Sequence, residues 1–533
     1  MISSELKLNL RNKYIENKCW GEETFGKMLE RIADDYNDKI ALKDEFMSIT
    51  YSEWNDNVNK LAYYFEDKGL KHGDKVVIQL PNSVMFFIIS FAMFKLGVVP
   101  VFSLPAHREK EITAFINKTN AKAYIPTKKH LGFSYQEMVE KCLENKDCSI
   151  YYEDDFYGLL ETLDNKENYV NSSISSYDTA VLLVSGGTTG IPKLIPRTHA
   201  DYLYDADVFA KKVFMDENTI FLASIPVAHN FAFANPGVIG TALNSGISVM
   251  SRNGAADEVL DLIEDEGVTL TCMVPSLLAV VSEMASYDDV ERFDTLKTVL
   301  VGGSVLHKDV LFAAEEYLDC KVRQVFGTAE GLNTITPVDM DSKDVSDCQG
   351  ECISEYDEIV IVDENDETLE VNESGEMLIR GPYTIMNYYD NIEADKLAFR
   401  EDGFYRTGDK AYLDEKGYVH VCGRIREQIN KSGEKINPSD LEEIIKLNEN
   451  IYDNSVIAIP DKNVINKICA CIVTDKKDMT ILELREFMEG HGLTTYKLPD
   501  YILVVDSIPL TAVGKPDKKK LLEIFNERHK KNV

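Results

Sequence analysis

The sequence predicts an α/β protein, because short apolar runs typical of buried strands alternate with segments that carry apolar residues at helical spacing. Val58, Leu61, Ala62 and Phe65 follow the i, i+3, i+4, i+7 rule. Ser52 is a candidate N-cap for this helix and Gly69 a candidate terminator. One amphipathic helix is therefore expected there.

A β-α-β unit is expected directly afterwards. The run 76–80 is apolar apart from Gln79 and stops at Pro81-Asn82. An apolar helix is predicted from Val84, and the run 98–102 predicts the next strand.

Further apolar runs recur at 181–184, 270–274, 299–301 and 359–362, and helical patterns such as 259–263 lie between several of them. This alternation predicts parallel sheets covered by helices. The sequence contains no internal repeat of fixed period. A block of positive charge, Lys518-Lys519-Lys520, lies near the end of the sequence.

Size and charge restrict the possible functions. The chain has 533 residues, several times the roughly 100 to 200 of a typical domain, so at least two cores are expected. Its formal charge of −33 disfavours nucleic acid as a partner, because such partners are usually held by a basic face.

The sequence also predicts a cytosolic protein without a membrane partner. The longest strongly apolar stretch, 84–96, is shorter than the roughly 20 residues that cross a bilayer, and the first residues lack a secretory apolar region. The ten cysteines are scattered. The spacing of the two closest pairs, Cys348 with Cys352 and Cys469 with Cys471, matches neither a zinc nor a redox motif, so reduced thiols are expected.

Residues 185–193, Ser-Gly-Gly-Thr-Thr-Gly-Ile-Pro-Lys, have the composition of a phosphate loop. The glycines allow a ligand close to the backbone, the hydroxyls donate hydrogen bonds, and Lys193 adds positive charge. The spacing differs from that of nucleotide hydrolases. Taken alone, the segment could also be a flexible surface turn.

Four later segments place charged residues among glycines. Glu330, in Gly327-Thr328-Ala329-Glu330-Gly331, follows a predicted strand end, where α/β proteins bind ligands. The other three segments are 405–409, Tyr-Arg-Thr-Gly-Asp; 423–435, which begins Gly-Arg-Ile-Arg and ends Gly-Glu-Lys; and Gly514-Lys515. Each alone could be a turn, and Glu330 alone a solvated carboxylate.

In this order and spacing, the motifs resemble those of the adenylate-forming superfamily of acyl-CoA synthetases, adenylation domains and luciferases. The likeness covers nearly the whole chain. It is strongest to stand-alone aryl-acid adenylating enzymes such as 2,3-dihydroxybenzoate-AMP ligase, in the segments 193–199, 226–230 and 423–435.

The resemblance implies a large N-terminal domain, 1–422, that binds ATP and the acid, and a small mobile α+β domain, 423–533, that carries the catalytic lysine. Arg426 would be the hinge. The implied reaction is ATP- and Mg²⁺-dependent conversion of an aryl acid to acyl-AMP with release of pyrophosphate. The acyl group would then pass to the phosphopantetheine thiol of a carrier protein.

The resemblance also implies roles for individual residues. Lys515 would bridge the carboxylate and the α-phosphate, His229 would gate the carboxylate, and Glu330 would help to hold Mg²⁺. Gly433 and Lys435 would line the thiol channel. The implied ATP-binding residues are Ser185, Gly186, Gly187, Thr188, Thr189, Gly190, Lys193, Gly302, Gly303, Gly327, Thr328, Asp409 and Arg424.

The implied acid pocket departs from that of the dihydroxybenzoate enzymes. Its residues are Asn230, Phe231, Asn235, Gly303 and Asn333. Phe231 stands where tyrosine is common, and asparagines replace a serine at 235 and a valine at 333. Since an unpaired buried amide costs roughly 1 to 3 kcal/mol, these asparagines are expected to meet polar groups of the substrate or each other. A hydroxylated or nitrogen-containing aryl acid therefore competes with 2,3-dihydroxybenzoate.

Four alternatives stay open. His229 and Asn230 could be a core pair, and Lys515 an exposed tail lysine beside the block 518–520. Free CoA could replace the carrier protein as acceptor. The chain could also be a nucleotide-binding protein without turnover, although such a protein would not need the distal Lys515.

Overall fold

The computed structural model describes residues 2–142, 147–185, 193–303, 306–424, 429–436, 438–461, 464–476, 478–509 and 516–530. At 142, 423, 424, 435, 439, 529 and 530 it describes the backbone only. Helices alternate with strands, as predicted. The α-helices are α1 Ser4–Glu16, α2 Phe25–Asp35, α3 Tyr51–Asp67, α4 Val84–Leu96, α5 Glu109–Thr119, α6 Tyr135–Cys142, α7 Glu153–Thr162, α8 His199–Lys212, α9 Asn230–Ala234, α10 Gly237–Leu243, α11 Ala256–Glu266, α12 Pro275–Ala285, α13 Lys308–Tyr317, α14 Ser342–Val345, α15 Ile392–Ala398, α16 Pro438–Ile445, α17 Ile481–Gly490 and α18 Lys518–Lys530.

The strands form two large sheets, two smaller sheets and a short hairpin. They are β1 Ile40–Lys43, β2 Ser48–Thr50, β3 Lys75–Gln79, β4 Val99–Phe102, β5 Ala123–Pro126, β6 Lys129–His130, β7 Phe133–Ser134, β8 Ser149–Ile150, β9 Thr179–Val184, β10 Leu194–Thr198, β11 Ile220–Ala223, β12 Ile247–Met250, β13 Leu270–Met273, β14 Thr298–Gly302, β15 Lys321–Gly327, β16 Asn333–Ile335, β17 Glu351–Cys352, β18 Glu358–Val362, β19 Gly375–Arg380, β20 Tyr405–Leu413, β21 Val419–Arg424, β22 Ile429–Lys431, β23 Glu434–Ile436, β24 Asp453–Asp461, β25 Ile465–Val473 and β26 Tyr501–Val504.

The nine-stranded sheet has the order β17-β16-β15-β14-β13-β11-β12-β1-β2. Its central strands are parallel, from β15 to β1. The strands at both edges are antiparallel. The carboxyl ends of β14 and β15 consequently lie side by side, and the loops after them share one edge of the sheet.

The six-stranded sheet, β10-β9-β4-β3-β5-β8, contains the predicted β-α-β unit. Strands β3 and β4 are parallel and flank α4 in sequence. Every residue of α4 is buried, because the helix packs inside the largest apolar cluster. This burial explains an apolar run that is not amphipathic.

Two local predictions are wrong. Thr50, rather than Ser52, caps α3, and its side chain forms a capping box with Glu53. The run 359–362 lies in β18 of an antiparallel four-stranded sheet, β18-β19-β20-β21, rather than in a parallel one. A short apolar run cannot distinguish the two kinds of sheet.

The last part of the chain has its own sheet, β23-β22-β25-β24 with β26 beside β25. Two apolar clusters of its own pack on this sheet. The overall arrangement confirms the predicted α/β class with a large N-terminal part and a smaller C-terminal part. Among the described residues, no helix is long and apolar enough to cross a membrane, and the cysteine side chains described are free thiols.

Candidate active site

The ends of the predicted phosphate loop are held together by two strands. β9 and β10 are antiparallel, and the backbone N–H of Ser185 donates to the carbonyl oxygen of Lys193 at 3.0 Å. Gly186, Gly187, Thr188, Thr189 and Gly190 lie outside the described residues. The loop therefore leaves and re-enters the sheet at neighbouring points, as a hairpin connection.

Tyr388 connects Lys193 of the predicted phosphate loop with Glu330, the predicted Mg²⁺ ligand. Its hydroxyl donates to Glu330 Oε1 at 2.9 Å, and Lys193 Nζ donates to the same hydroxyl at 3.4 Å. The Lys193 ammonium also lies 4.5 Å from the centre of the Tyr388 ring. Burial, followed by the Glu330 charge, raises the pKa of Tyr388, which keeps the hydroxyl protonated as a donor.

Sequence reasoning missed Tyr388, because it is one of three tyrosines in the segment 381–389 and no spacing marks it as a site residue. The tyrosine is 1% exposed, and its hydroxyl also lies 3.1 Å from that of Tyr405. Its position fixes the Glu330 carboxylate relative to Lys193, even though the two residues are far apart in sequence.

Asp409 and Arg424 stand opposite each other on neighbouring strands, as a register pair of β20 and β21. Asp409 is 2% exposed, and its backbone N–H donates to Thr407 Oγ1 at 3.0 Å. The pairing brings the two predicted ribose-binding residues to one place. Their contact with ribose stays a prediction.

The glycines at the ends of β14 and β15 are required by close packing. A Cβ atom at Gly302 would lie 2.8 Å from the Val325 carbonyl oxygen, and one at Gly327 would lie 2.3 Å from Asn333 Oδ1. Gly303 has a φ of +89°, which favours glycine. Beside them, Thr328 Oγ1 donates to the Gly331 carbonyl oxygen at 2.5 Å and closes the turn that contains Glu330.

Two of the predicted acid-binding residues, Phe231 and Asn333, lie next to these glycines. A Cβ atom at Gly302 would be 3.4 Å from Cε1 of Phe231, which is 8% exposed. His229 caps α9, its Nδ1 accepting from the Phe231 N–H at 3.3 Å, and is exposed to solvent. Asn230 is buried and accepts at Oδ1 from the Tyr202 hydroxyl. His229 is thus not part of a buried core pair.

Asp205 on α8 connects the other two asparagines. Asn235 Nδ2 and Asn333 Nδ2 each donate to Asp205 Oδ1 at 2.9 Å. All three residues are at most 3% exposed. Both amides thus use a shared carboxylate that sequence spacing did not reveal, and their contact with polar groups of the substrate stays a prediction.

Arg197 completes this buried cluster. Its Nη2 donates to Asp205 Oδ2 at 3.0 Å and its Nε to Asp201 Oδ1 at 2.7 Å. The guanidinium carbon lies 4.2 Å above the centre of the Tyr202 ring, a favourable cation–π contact. Burial raises the pKa of Asp205 to about 6, although Arg197 opposes the shift. We call Arg197, Asp205, Asn235 and Asn333 the Asp205 cluster.

The predicted thiol channel reaches the same edge of the sheet. Asn430 Nδ2 donates to the Gly303 carbonyl oxygen at 3.2 Å, and Asn430 Oδ1 accepts from the Gly433 N–H at 3.1 Å. Gly433 has a φ of +89°. Lys435 pairs with Asn430 in the β22–β23 ladder. Arg426 and Lys515 lie outside the described residues.

The chain belongs to the AMP-binding enzyme family. Residues 29–389 match that family and residues 440–515 match its C-terminal domain, described as the AMP-binding enzyme C-terminal domain. The predicted membership of the adenylate-forming superfamily, with aryl-acid adenylating enzymes among its relatives, is confirmed.

Individual relatives cover nearly the full chain. It is 37% identical over 525 residues to 2,3-dihydroxybenzoate-AMP ligase of Bacillus subtilis, covering 97% of each chain. Enterobactin synthase component E of Escherichia coli is 31% identical, again with 97% of each covered. The solved structure of Mycobacterium smegmatis MbtA superimposes with a TM-score of 0.72 at 31% identity, covering 96% of this chain and 97% of that one.

Proposed function

We propose that this enzyme activates an aryl carboxylic acid as its acyl-AMP and then transfers the acyl group to a phosphopantetheine thiol of a carrier protein. One observation carries the proposal: the nucleotide-site candidates and the acid-site candidates share one sheet edge, where Phe231 lies against Gly302. Relatives named as 2,3-dihydroxybenzoate-AMP ligases match 97% of this chain and support the first step. ATP, Mg²⁺ and the carrier-bound thiol are the co-reactants.

Different residues have different roles in the first step, the formation of the acyl-AMP. A carboxylate is a poor nucleophile towards an anionic triphosphate, so both must be positioned and the charge on the α-phosphate neutralised. Lys193 supplies charge at the phosphate loop, Asp409 and Arg424 fix the ribose, and Lys515 stabilises charge between the carboxylate and the α-phosphate. His229, which is exposed to solvent, gates the carboxylate.

Glu330 fits the role of a Mg²⁺ ligand. Its carboxylate is half-buried and is held through Oε1 by Tyr388. Mg²⁺ commonly uses one or two carboxylates together with substrate phosphates, so a cluster of acidic ligands is not needed. In the described part of the chain, no group of three or more His, Cys, Asp or Glu residues could hold a metal. When bound, Mg²⁺ would supply charge neutralisation at the phosphates.

We further propose that residues 423–533 move as a domain about Arg426 between the two steps. Lys497 Nζ pairs with Glu111 Oε1 on α5 at 3.1 Å, and Asn430 bonds Gly303. In this arrangement Gly433 lies against the edge of the site and would let a phosphopantetheine arm pass.

Charge reversal tests the domain proposal. Lys497→Glu should slow thiol acylation about threefold or more and leave pyrophosphate exchange within twofold, because a partly buried ion pair contributes roughly 1 kcal/mol. Lys476→Glu is the matched control, since Lys476 pairs with Glu483 within the C-terminal part. Equal slowing of pyrophosphate exchange and of thiol acylation would contradict the proposal that the Lys497–Glu111 pair acts only in the second step.

Acid-dependent exchange of labelled pyrophosphate into ATP tests the main proposal, with aryl, heteroaryl, fatty and amino acids. Strong exchange with an aryl acid that Lys515→Ala abolishes and exposed Lys519→Ala retains would support adenylation. ATP binding without exchange would favour the nucleotide-binding alternative. Loading of a carrier domain, measured against consumption of CoA, decides between the two acceptors.

A further inference from the structure

The segment 381–389, which connects β19 with α15 and contains neither helix nor strand, is bonded to both ends of the candidate nucleotide site. The Ile385 N–H donates to the Glu330 carbonyl oxygen at 2.8 Å. The Tyr389 N–H donates at 2.9 Å to the carbonyl oxygen of Leu194, the first residue of β10 after the phosphate loop. The position of this segment therefore affects both ends of the site, in addition to the contacts of the Tyr388 hydroxyl.

The N-terminal helix α1 and Trp20 hold the segment from outside. Trp20 Nε1 donates to the Pro382 carbonyl oxygen at 2.7 Å, and Lys7 Nζ donates to Asn387 Oδ1 at 2.6 Å. Between these two bonds, Met386 packs against a small apolar cluster centred on α1. A segment without its own ladder of backbone hydrogen bonds depends on such contacts for its position.

The contact of Lys7 reaches Tyr388 through one amide. Lys7 fixes the oxygen of Asn387, and Asn387 Nδ2 in turn donates to the Tyr388 carbonyl oxygen at 3.0 Å. Lys7 is half-buried, and burial lowers its pKa although Asp395 opposes the shift. Hydrogen bonds made by a charged group are stronger than those between neutral groups, so this bond is expected to restrain the amide.

The two ends of the segment differ in their other anchors. Tyr383 accepts from the Asn333 N–H beside the acid pocket, and its hydroxyl also donates to the Asp357 carboxylate. At the other end, Asn387 is bonded by Lys7 from α1. Loss of the contacts with α1 should therefore affect the nucleotide end more than the end beside the acid pocket.

We propose that α1 and Trp20 are a positioning element for the site of Mg²⁺ and ATP, because they hold the segment 381–389 where Tyr388 can bond Glu330 and Lys193. This inference rests on the proposed function, in which Glu330 and Lys193 bind Mg²⁺ and the phosphates. Both α1 and Trp20 precede residues 29–389, which match the AMP-binding enzyme family. Lys7 and Trp20 act through the segment and are positioning residues.

Hydrogen–deuterium exchange of the ligand-free enzyme tests whether α1 and Trp20 hold the segment. In the double variant Lys7→Met with Trp20→Phe, amides of the segment 381–389 should exchange about fivefold faster or more. Lys13→Met is the matched control, because Lys13 also lies on α1 but pairs with Glu358 outside the segment. Deuterium uptake that is equal in the double variant and the wild type would overturn the inference.

Binding of ATP with Mg²⁺, measured by calorimetry without any acid, tests the connection to the site. The Kd should rise about fivefold or more in the double variant and stay within about twofold in Lys13→Met. In pyrophosphate exchange, KM for ATP should rise in the same way, while KM for the aryl acid stays within about twofold. A role in folding alone would lower the active fraction and leave the Kd and both KM values unchanged.

The outcomes separate the inference from the proposed function. Faster deuterium uptake with an unchanged Kd for ATP would overturn the inference and leave adenylation of aryl acids standing. Equal rises of KM for ATP and for the acid would overturn the assignment to the nucleotide site. Wild-type enzyme that neither binds ATP with Mg²⁺ nor catalyses pyrophosphate exchange with any carboxylic acid would overturn the proposed function and the inference with it.

Discussion

Two buried charges of opposite sign in the N-terminal part, Lys95 and Asp205, are each hydrogen-bonded by a pair of asparagines. The Lys95 ammonium donates to Asn55 Oδ1 at 2.8 Å, to Asn59 Oδ1 at 2.7 Å and to Glu30 Oε1 at 2.7 Å. The Asp205 carboxylate instead accepts from the amide nitrogens of its two asparagines. The Lys95 cluster presents amide oxygens to its charge, and the Asp205 cluster presents amide nitrogens.

The clusters differ in whether the second polar atom of each amide, the one that does not contact the charge, has a hydrogen-bond partner. Asn55 Nδ2 and Asn59 Nδ2 both donate to Asn168 Oδ1 at 2.9 Å, so the Lys95 cluster is saturated. In the Asp205 cluster, Asn235 Oδ1 has no partner among the described residues. The saturated cluster lies among α2, α3 and α4, and the unsaturated one adjoins the candidate acid pocket. A complete buried network stabilises a fold, whereas an incomplete one keeps an acceptor that a further donor can meet.

The largest effect is expected from Lys95→Met. The change leaves Asn55 and Asn59 without their buried donor, and removing one partner of a buried ion pair costs about 4 kcal/mol. The free energy of unfolding, measured in urea, should fall by about that amount, while kcat/KM at a temperature where the variant is folded stays within twofold. Lys27→Met on exposed α2 surface is the control. A loss below about 1 kcal/mol would show that the saturated cluster does not stabilise the fold.

A pH-dependent effect is expected from Asp205→Asn. Burial raises the pKa of Asp205 from its ordinary value of 3.8 to about 6. Because the native state keeps its proton to higher pH than the unfolded chain, this carboxyl lowers stability as pH rises from about 4 to 6, by roughly 3 kcal/mol.

The measurement compares urea unfolding of wild type and Asp205→Asn at pH 4, 5, 6 and 7. The wild-type free energy of unfolding should decline relative to the variant up to about pH 6 and then stay parallel to it. Shifts from Arg197, Asp201 and other groups common to both proteins cancel largely in this difference. A difference that does not change with pH would contradict the raised pKa of Asp205.

The contrast between the clusters also shows how far the sequence predicts the site. The nucleotide site is predicted by the resemblance of a set of glycine-rich segments with charged neighbours, because their function depends on local backbone geometry and short spacing. Asn235 and Asn333 were predicted as pocket residues, but their shared partner was not. Asp205 lies 30 residues before one and 128 before the other, and only the packing of α8 against α9 and β16 brings the three together.

The smallest effect is expected from the loss of a single tyrosine hydroxyl on helix α8. Tyr202 donates to Asn230 Oδ1 and lies under Arg197, whereas Tyr204 on the same helix bonds Ser354 Oγ at 2.7 Å. Loss of one buried hydroxyl removes a hydrogen bond of about 1 kcal/mol. Tyr202→Phe should therefore raise KM for the aryl acid about fivefold and leave KM for ATP unchanged. Tyr204→Phe removes a comparable hydroxyl outside the pocket and should leave both constants unchanged. If the two variants behave alike in pyrophosphate exchange, the orientation of Asn230 does not contribute to acid binding, and the functional part of α8 is limited to Asp205.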